Sequence, residues 1–96
     1  QQEAVIYALE ISPEKLAVWI EQARSGDRRA MDQILAAHQQ AVLRVALRML
    51  GSLEDAQDAA QDVFLRLYRS LDQFDDTRQF RPWLYRITVN ICLDML

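Results

Sequence analysis

The chain has 96 residues, 51% of them hydrophobic and 26% charged, with a net charge of −3 and one cysteine. That length bounds it to one domain, near the lower end of what sustains its own core, and the composition is globular rather than disordered. Net acidity argues against a free-standing nucleic-acid binder, whose non-specific affinity comes mainly from excess Lys and Arg. No apolar run approaches the roughly 20 residues of a membrane span, so no membrane insertion is expected, and the lone Cys92 excludes an internal disulfide and fits a reducing cytoplasm.

Two Gly and two Pro punctuate the chain rarely, which favours long elements and therefore helices. Residues 1–11 (QQEAVIYALEI) are apolar enough to pack but carry no boundary signal. They are read as an N-terminal extension, a helical continuation or a frayed end, and the missing initiator Met suggests a chain trimmed from a longer one. SPEKLAVWIEQARSG is a complete helix signal: Ser12 caps, Pro13 suits the first helical position, Gly26 ends it. Leu16, Trp19, Ile20 and Ala23 form its apolar stripe.

Asp27 is the next cap, opening a long helix to about Leu50, stopped by Gly51 in the left-handed conformation glycine adopts cheaply. Along it Ala30, Ile34, Leu35, Ala41, Val42, Val45, Ala46, Met49 and Leu50 keep the helical period. Ser52 with Asp55 three residues on resembles a capping box, and a third helix runs to about Leu71. Its buried stripe is predicted to hold Ala56, Ala59, Ala60, Val63, Phe64, Leu67 and Tyr68. DQFDDTRQFR (72–81) lacks periodicity and reads as a loop anchored by Phe74 and Phe80. Pro82 opens the last helix, PWLYRITVNICLDML, with Trp83, Leu84, Ile87 and Ile91 at core spacing. The fold class expected is all-α, a compact bundle of about four helices over residues 12–96.

Little supports catalysis. His38, the sole histidine, lies beside Gln39 and Gln40 and reads as a surface or boundary residue. No Ser or Cys sits in a nucleophile motif, no glycine-rich phosphate loop exists, and the acids cluster on one helix rather than facing one another across a bundle as metal sites require. No cofactor is expected.

Binding is better supported. Asp58, Gln61, Asp62 and Leu65 recur at helical spacing on a face other than the core stripe, and Glu54, Asp55, Asp58 and Asp62 form an acidic block without a base. Acceptors around an apolar anchor are how a protein interface with a polar rim is built, and a basic helix is the natural match. Farther on, Phe80, Arg81, Trp83, Tyr85 and Arg86 crowd one loop-to-helix junction, the combination of rings and guanidinium groups that holds unstacked bases and tracks phosphates. Arg86 and Asn90, four apart, share a face that packing does not explain. A solvated mixed surface is the alternative for the charges, and a core role the alternative for Trp83.

Two motifs then carry a resemblance: R-x-L-G-x-x-x-D-A-x-D-x-x-Q-x-V-F-L, read from Arg48 to Leu65 with Met49 in the variable place, and W-L-Y-R-I-x-x-N-x-x-L-D, from Trp83 to Asp94. Together, at this spacing, they make roughly residues 14–96 resemble region 2 of an extracytoplasmic-function (ECF) sigma factor, a bacterial transcription-initiation subunit. The resemblance implies a domain that is not itself an enzyme. Asp55, Asp58, Gln61, Asp62 and Leu65 become the candidates for docking on the clamp helices of the RNA polymerase β′ subunit. Gln73, Phe74, Arg78, Phe80, Arg81, Trp83, Tyr85, Arg86 and Asn90 become the candidates for melting and reading the minus-ten element of promoter DNA on its non-template single strand. It further implies a cytoplasmic location, an anti-sigma factor as partner, and a second DNA-reading domain (region 4), before which the chain is expected to be truncated. The alternative function is a helical module of the same fold, binding an anti-sigma factor or itself without reading a promoter.

Overall fold

In a computed structural model of the chain, which describes residues 11–75 and 79–96, every regular element is helical. Helix α1 is Pro13–Arg24. Ser12 Oγ accepts the Lys15 amide at 3.1 Å, and Pro13, which has no N–H to leave orphaned, occupies the first helical position. At the other end Gly26 takes φ +99°. Its amide donates to the Ala23 carbonyl and that of Asp27 to the Gln22 carbonyl, both at 3.0 Å, the paired bonds of a Schellman cap. Asp27 then starts the next element, its Oδ1 accepting the amides of Arg29 (2.9 Å) and Ala30 (3.4 Å). Helix α2, Arg28–Leu50, follows.

The chain divides into two units, Gln1–His38 and Gln39–Leu96. In the first, Ile11, Leu16, Trp19, Ile20, Ala30, Met31 and Ile34 are buried, and Lys15 Nζ lies 5.6 Å from the centre of the Trp19 ring, a cation–π distance. His38 joins this buried set with 1% exposure. That corrects the surface reading drawn from its Gln neighbours: four residues from Ile34, it shares the inward row, and its Nδ1 lies 2.7 Å from the Ile34 carbonyl. A carbonyl can only accept, so the proton sits on Nδ1 and the ring is held to its own helix.

In the second unit, Gly51 ends α2 at φ +73° and its amide donates to the Leu47 carbonyl at 2.8 Å. Ser52 Oγ accepts the Asp55 amide at 3.3 Å and opens helix α3, Leu53–Ser70. A single 3₁₀ turn, Leu71–Gln73, follows, and helix α4 is Phe80–Met95. Helix α4 therefore starts before Pro82, where the sequence suggested. Pro82 is tolerated because the first four amides of a helix have no intrahelical acceptor, so one can be missing without cost.

Helices α3 and α4 pack against each other. At the centre of this unit Ala46, Ala56, Ala59 and Cys92 are fully buried, with Leu43, Met49, Leu50 and Ile91 packed around them. Small side chains on α3 and α4 suit the close approach of these two helices, and Ala46 of α2 joins the same cluster. Leu67, Leu71 and Leu84 are also buried, each contributing on the order of 1.5–3 kcal/mol by leaving water.

The inward row of α4 is Phe80, Leu84, Thr88 and Cys92. Trp83, Ile87 and Ile91, expected in the core with Leu84, lie half-buried on its flank. Thr88 can stand in the row because its hydroxyl donates to the Leu84 carbonyl at 3.0 Å, which removes the penalty of burying it. On α3, Ala56, Ala59, Ala60, Val63 and Leu67 are buried as the period demanded, Phe64 is half-buried, and Tyr68 is 57% exposed and does not belong to the core.

Candidate partner and nucleic-acid interfaces

The outer face of α3 carries Asp55, Asp58, Gln61, Asp62 and Leu65, all exposed. The helical repeat of about 100° per residue explains why. Val63 and Leu67 flank Leu65 at two residues on either side, so each lies more than half a turn from it, and Leu65 projects opposite the buried stripe. Half of its surface is in solvent. No ion pair or hydrogen bond among the described residues engages the side-chain carboxylates of Asp55, Asp58 or Asp62. Glu54 and Asp55 sit in the first turn of α3, where the helix dipole favours negative charge. The face thus presents free acceptors around an apolar centre.

Sequence reasoning missed two features here. Tyr68, one turn past Leu65, is exposed on the same side and enlarges the apolar centre with an aromatic ring bearing a hydroxyl. The signal was available: three residues from Leu65 and four from Phe64, it lies between the outer and inner faces, and burial decides which it joins. Second, a depression of about 290 Å³ opens beside the acidic row, lined by Asp62, Leu65, Arg66 and Arg69 of α3 and by Ile91, Asp94 and Met95 of α4. Leu93, Met95 and Leu96 are exposed at that end of α4.

The second set of candidates lies around the start of α4. Gln73 is exposed at the end of the 3₁₀ turn. Phe74 and Phe80, expected on the DNA-facing side, are 6% and 5% exposed and meet edge to face, ring centres 5.5 Å apart and planes at 84°. Trp83 closes the trio, 4.9 Å from Phe74 and 5.8 Å from Phe80. Such spacings are attractive in offset or edge geometry. Of the three rings only that of Trp83 is half-exposed. Arg78 lies outside the described residues.

Along α4, Trp83, Arg86 and Asn90 fall at spacings of three and four and share one flank, on which Arg86 and Asn90 are exposed. Tyr85 precedes Arg86 by one residue and so lies about 100° around the helix, half-buried on the opposite flank of the inward row. Arg81 is half-buried. The structure therefore brings Trp83, Arg86 and Asn90 together and sets Tyr85 apart.

Comparison with known proteins matches residues 34–96 to the family described as Sigma-70 region 2. Over 77 residues the chain is 38% identical to the ECF RNA polymerase sigma factor SigW of Bacillus subtilis, covering 80% of this chain and 41% of SigW. Among solved structures, an engineered region 2 of sigmaE in complex with GTAAAA superposes with a TM-score of 0.79 at 34% identity, covering 88% of this chain and 90% of that one. CnrH, solved in complex with the cytosolic domain of CnrY, gives a TM-score of 0.69 at 40% identity over 80% of this chain and 50% of that one. The chain spans less than half the length of the curated relatives it matches.

Proposed function

Because the chain belongs to the sigma-70 region 2 family and has ECF RNA polymerase sigma factors as its relatives, we propose that it docks on the β′ clamp helices of core RNA polymerase and holds the melted minus-ten element for transcription initiation. The polymerase does the chemistry; this domain supplies attachment and promoter recognition. The observation that carries the reading is the outer face of α3. Asp58, Gln61, Asp62 and Leu65 are exposed there, with the carboxylates engaged by no arginine among the described residues. A basic coiled coil would pair its cations with these carboxylates and cover Leu65 and Tyr68, the arrangement of an apolar centre inside a polar rim.

For promoter recognition, unstacking a base costs a few kcal/mol, and one aromatic platform returns about 1–3 kcal/mol per base. Trp83 offers the half-exposed ring, Arg86 a charge for the backbone and Asn90 an amide for a base edge. The relative bound to GTAAAA supports this use of the fold. Acidity on α3 repels phosphate, so the isolated chain should bind duplex DNA weakly at physiological salt and rely on the polymerase to cover that face.

The test is binding to a β′ clamp-helix fragment. Asp62→Arg and Leu65→Glu should each abolish it while circular dichroism stays unchanged; affinity retained in both would overturn the assignment. A second partner is favoured by the likeness to CnrH held by the cytosolic domain of CnrY. An anti-sigma factor seated in the depression between α3 and α4 would cover Asp62 and Leu65 and so exclude the polymerase by direct competition.

A further inference from the structure

We infer that Phe74 and Phe80 are positioning residues for promoter reading: they pin together the two ends of the segment that precedes α4, and the bases are met by their neighbours instead. The inference rests on the promoter-reading proposal and deepens it.

Phe74 leaves the 3₁₀ turn in extended backbone (φ −66°, ψ 127°), its amide donating to the Leu71 carbonyl at 3.1 Å. Gln79 re-enters α4 in the same conformation (φ −78°, ψ 137°). The edge-to-face contact of Phe74 with Phe80 joins these two points. Both rings are buried, so neither presents a face on which a base could stack. Each also touches Trp83, which ties the contact to the ring best placed for stacking.

The polar groups beside this contact are outward. Gln73 precedes Phe74 and Gln79 precedes Phe80, and both are exposed. Amide side chains of this kind read base edges through paired donors and acceptors. Their value for discrimination depends on being held at a fixed separation, since a loose pair adapts to any base and pays ordering entropy for each. The phenylalanine contact supplies that constraint: Gln73 and Gln79 are each one residue from a ring whose partner is the other ring. Trp83 has the opposite role. A stacking platform accepts every base, so it contributes affinity without choice.

The two roles separate in one experiment. The 96-residue chain and its variants are incubated at physiological ionic strength, which screens the acidic face of α3, with a random-sequence library of single-stranded hexadeoxynucleotides, and the bound pool is sequenced alongside a measurement of mean affinity. In Phe74→Leu and Phe80→Leu, which keep an apolar side chain but lose the ring edges, discrimination between the best and the average sequence should fall about tenfold, with mean affinity lowered less than in Trp83→Leu. Trp83→Leu removes the stacking platform together with its contacts to both phenylalanines, so it should lower mean affinity more than either phenylalanine variant does. Thermal unfolding is followed for each variant, and Phe74→Met replaces Phe74→Leu if the latter loses its cooperative transition. Variants that fold and keep the wild-type ranking and spread would overturn the positioning role while leaving promoter reading intact. A wild-type chain that selects no sequence would instead remove the promoter-reading proposal, and the positioning role with it.

Discussion

Val63 and Leu65 stand two residues apart on α3 and face opposite ways, the first with no exposed surface and the second with half of its surface in solvent. The contrast separates folding from binding on one helix. Val63→Glu buries an unpaired carboxylate and should unfold the domain or cost several kcal/mol. Leu65→Glu should leave the melting temperature within the range of a surface change, about 0.5 kcal/mol, because nothing buried is lost. Parallel thermal melts decide it, and equal destabilisation by the two would contradict the assigned faces.

Tyr68 provides the complementary test. Were it core, Tyr68→Ala would cost about 3–5 kcal/mol, as truncation of buried aromatics does. Exposed as it is, the change should cost under about 1 kcal/mol in stability. As an interface aromatic it should weaken clamp-helix binding by more than about 1 kcal/mol. Urea unfolding and a fluorescence-anisotropy titration on the same sample measure both.

Gly51 ends α2 at φ +73°, and an added Cβ there would meet no atom within 4 Å. Gly51→Ala therefore meets no clash, only the left-handed backbone penalty of roughly 1–2 kcal/mol. Gly51→Asn, whose side chain tolerates that conformation, should recover part of the loss. Identical melting temperatures for wild type and Gly51→Ala would show that the turn does not need this backbone.

Cys92 is fully buried, and desolvation pushes its thiol above the ordinary range. The folded state thus holds the neutral thiol longer than the unfolded chain does. The resulting stability is complete below the unfolded thiol's pKa, about 8.5, and is lost as pH rises from there through the higher folded value. Unfolding free energy should decline above about pH 8.5, and that part of the decline should vanish in Cys92→Ala. Iodoacetamide should label Cys92 only through opening of the fold, at a rate that follows unfolding.

Much of this was legible before any coordinates. Ser12, Asp27 and Ser52 cap because a short polar side chain ahead of an apolar period has one favourable use, and Gly26 and Gly51 terminate helices because only glycine takes positive φ without penalty. Spacing alone separated Asp58, Gln61, Asp62 and Leu65 from the α3 stripe, since residues three and four apart share a face whatever surrounds them. Where a side chain lies between faces, spacing is silent and neighbours decide. His38 went inward to its Ile34 carbonyl despite the glutamines beside it, and Tyr68 went outward despite its place next to Leu67. Thr88 and Cys92 took core positions that greasier residues of α4 were expected to hold, because closely approaching helices admit only small side chains there. The contact of Phe74 with Phe80 is likewise tertiary: it joins residues on either side of an aperiodic stretch of sequence, and no local period encodes it. Local chemistry determined the helices, their ends and their outward charges; the packing of helix on helix decided which of the ambiguous residues became core and which became surface.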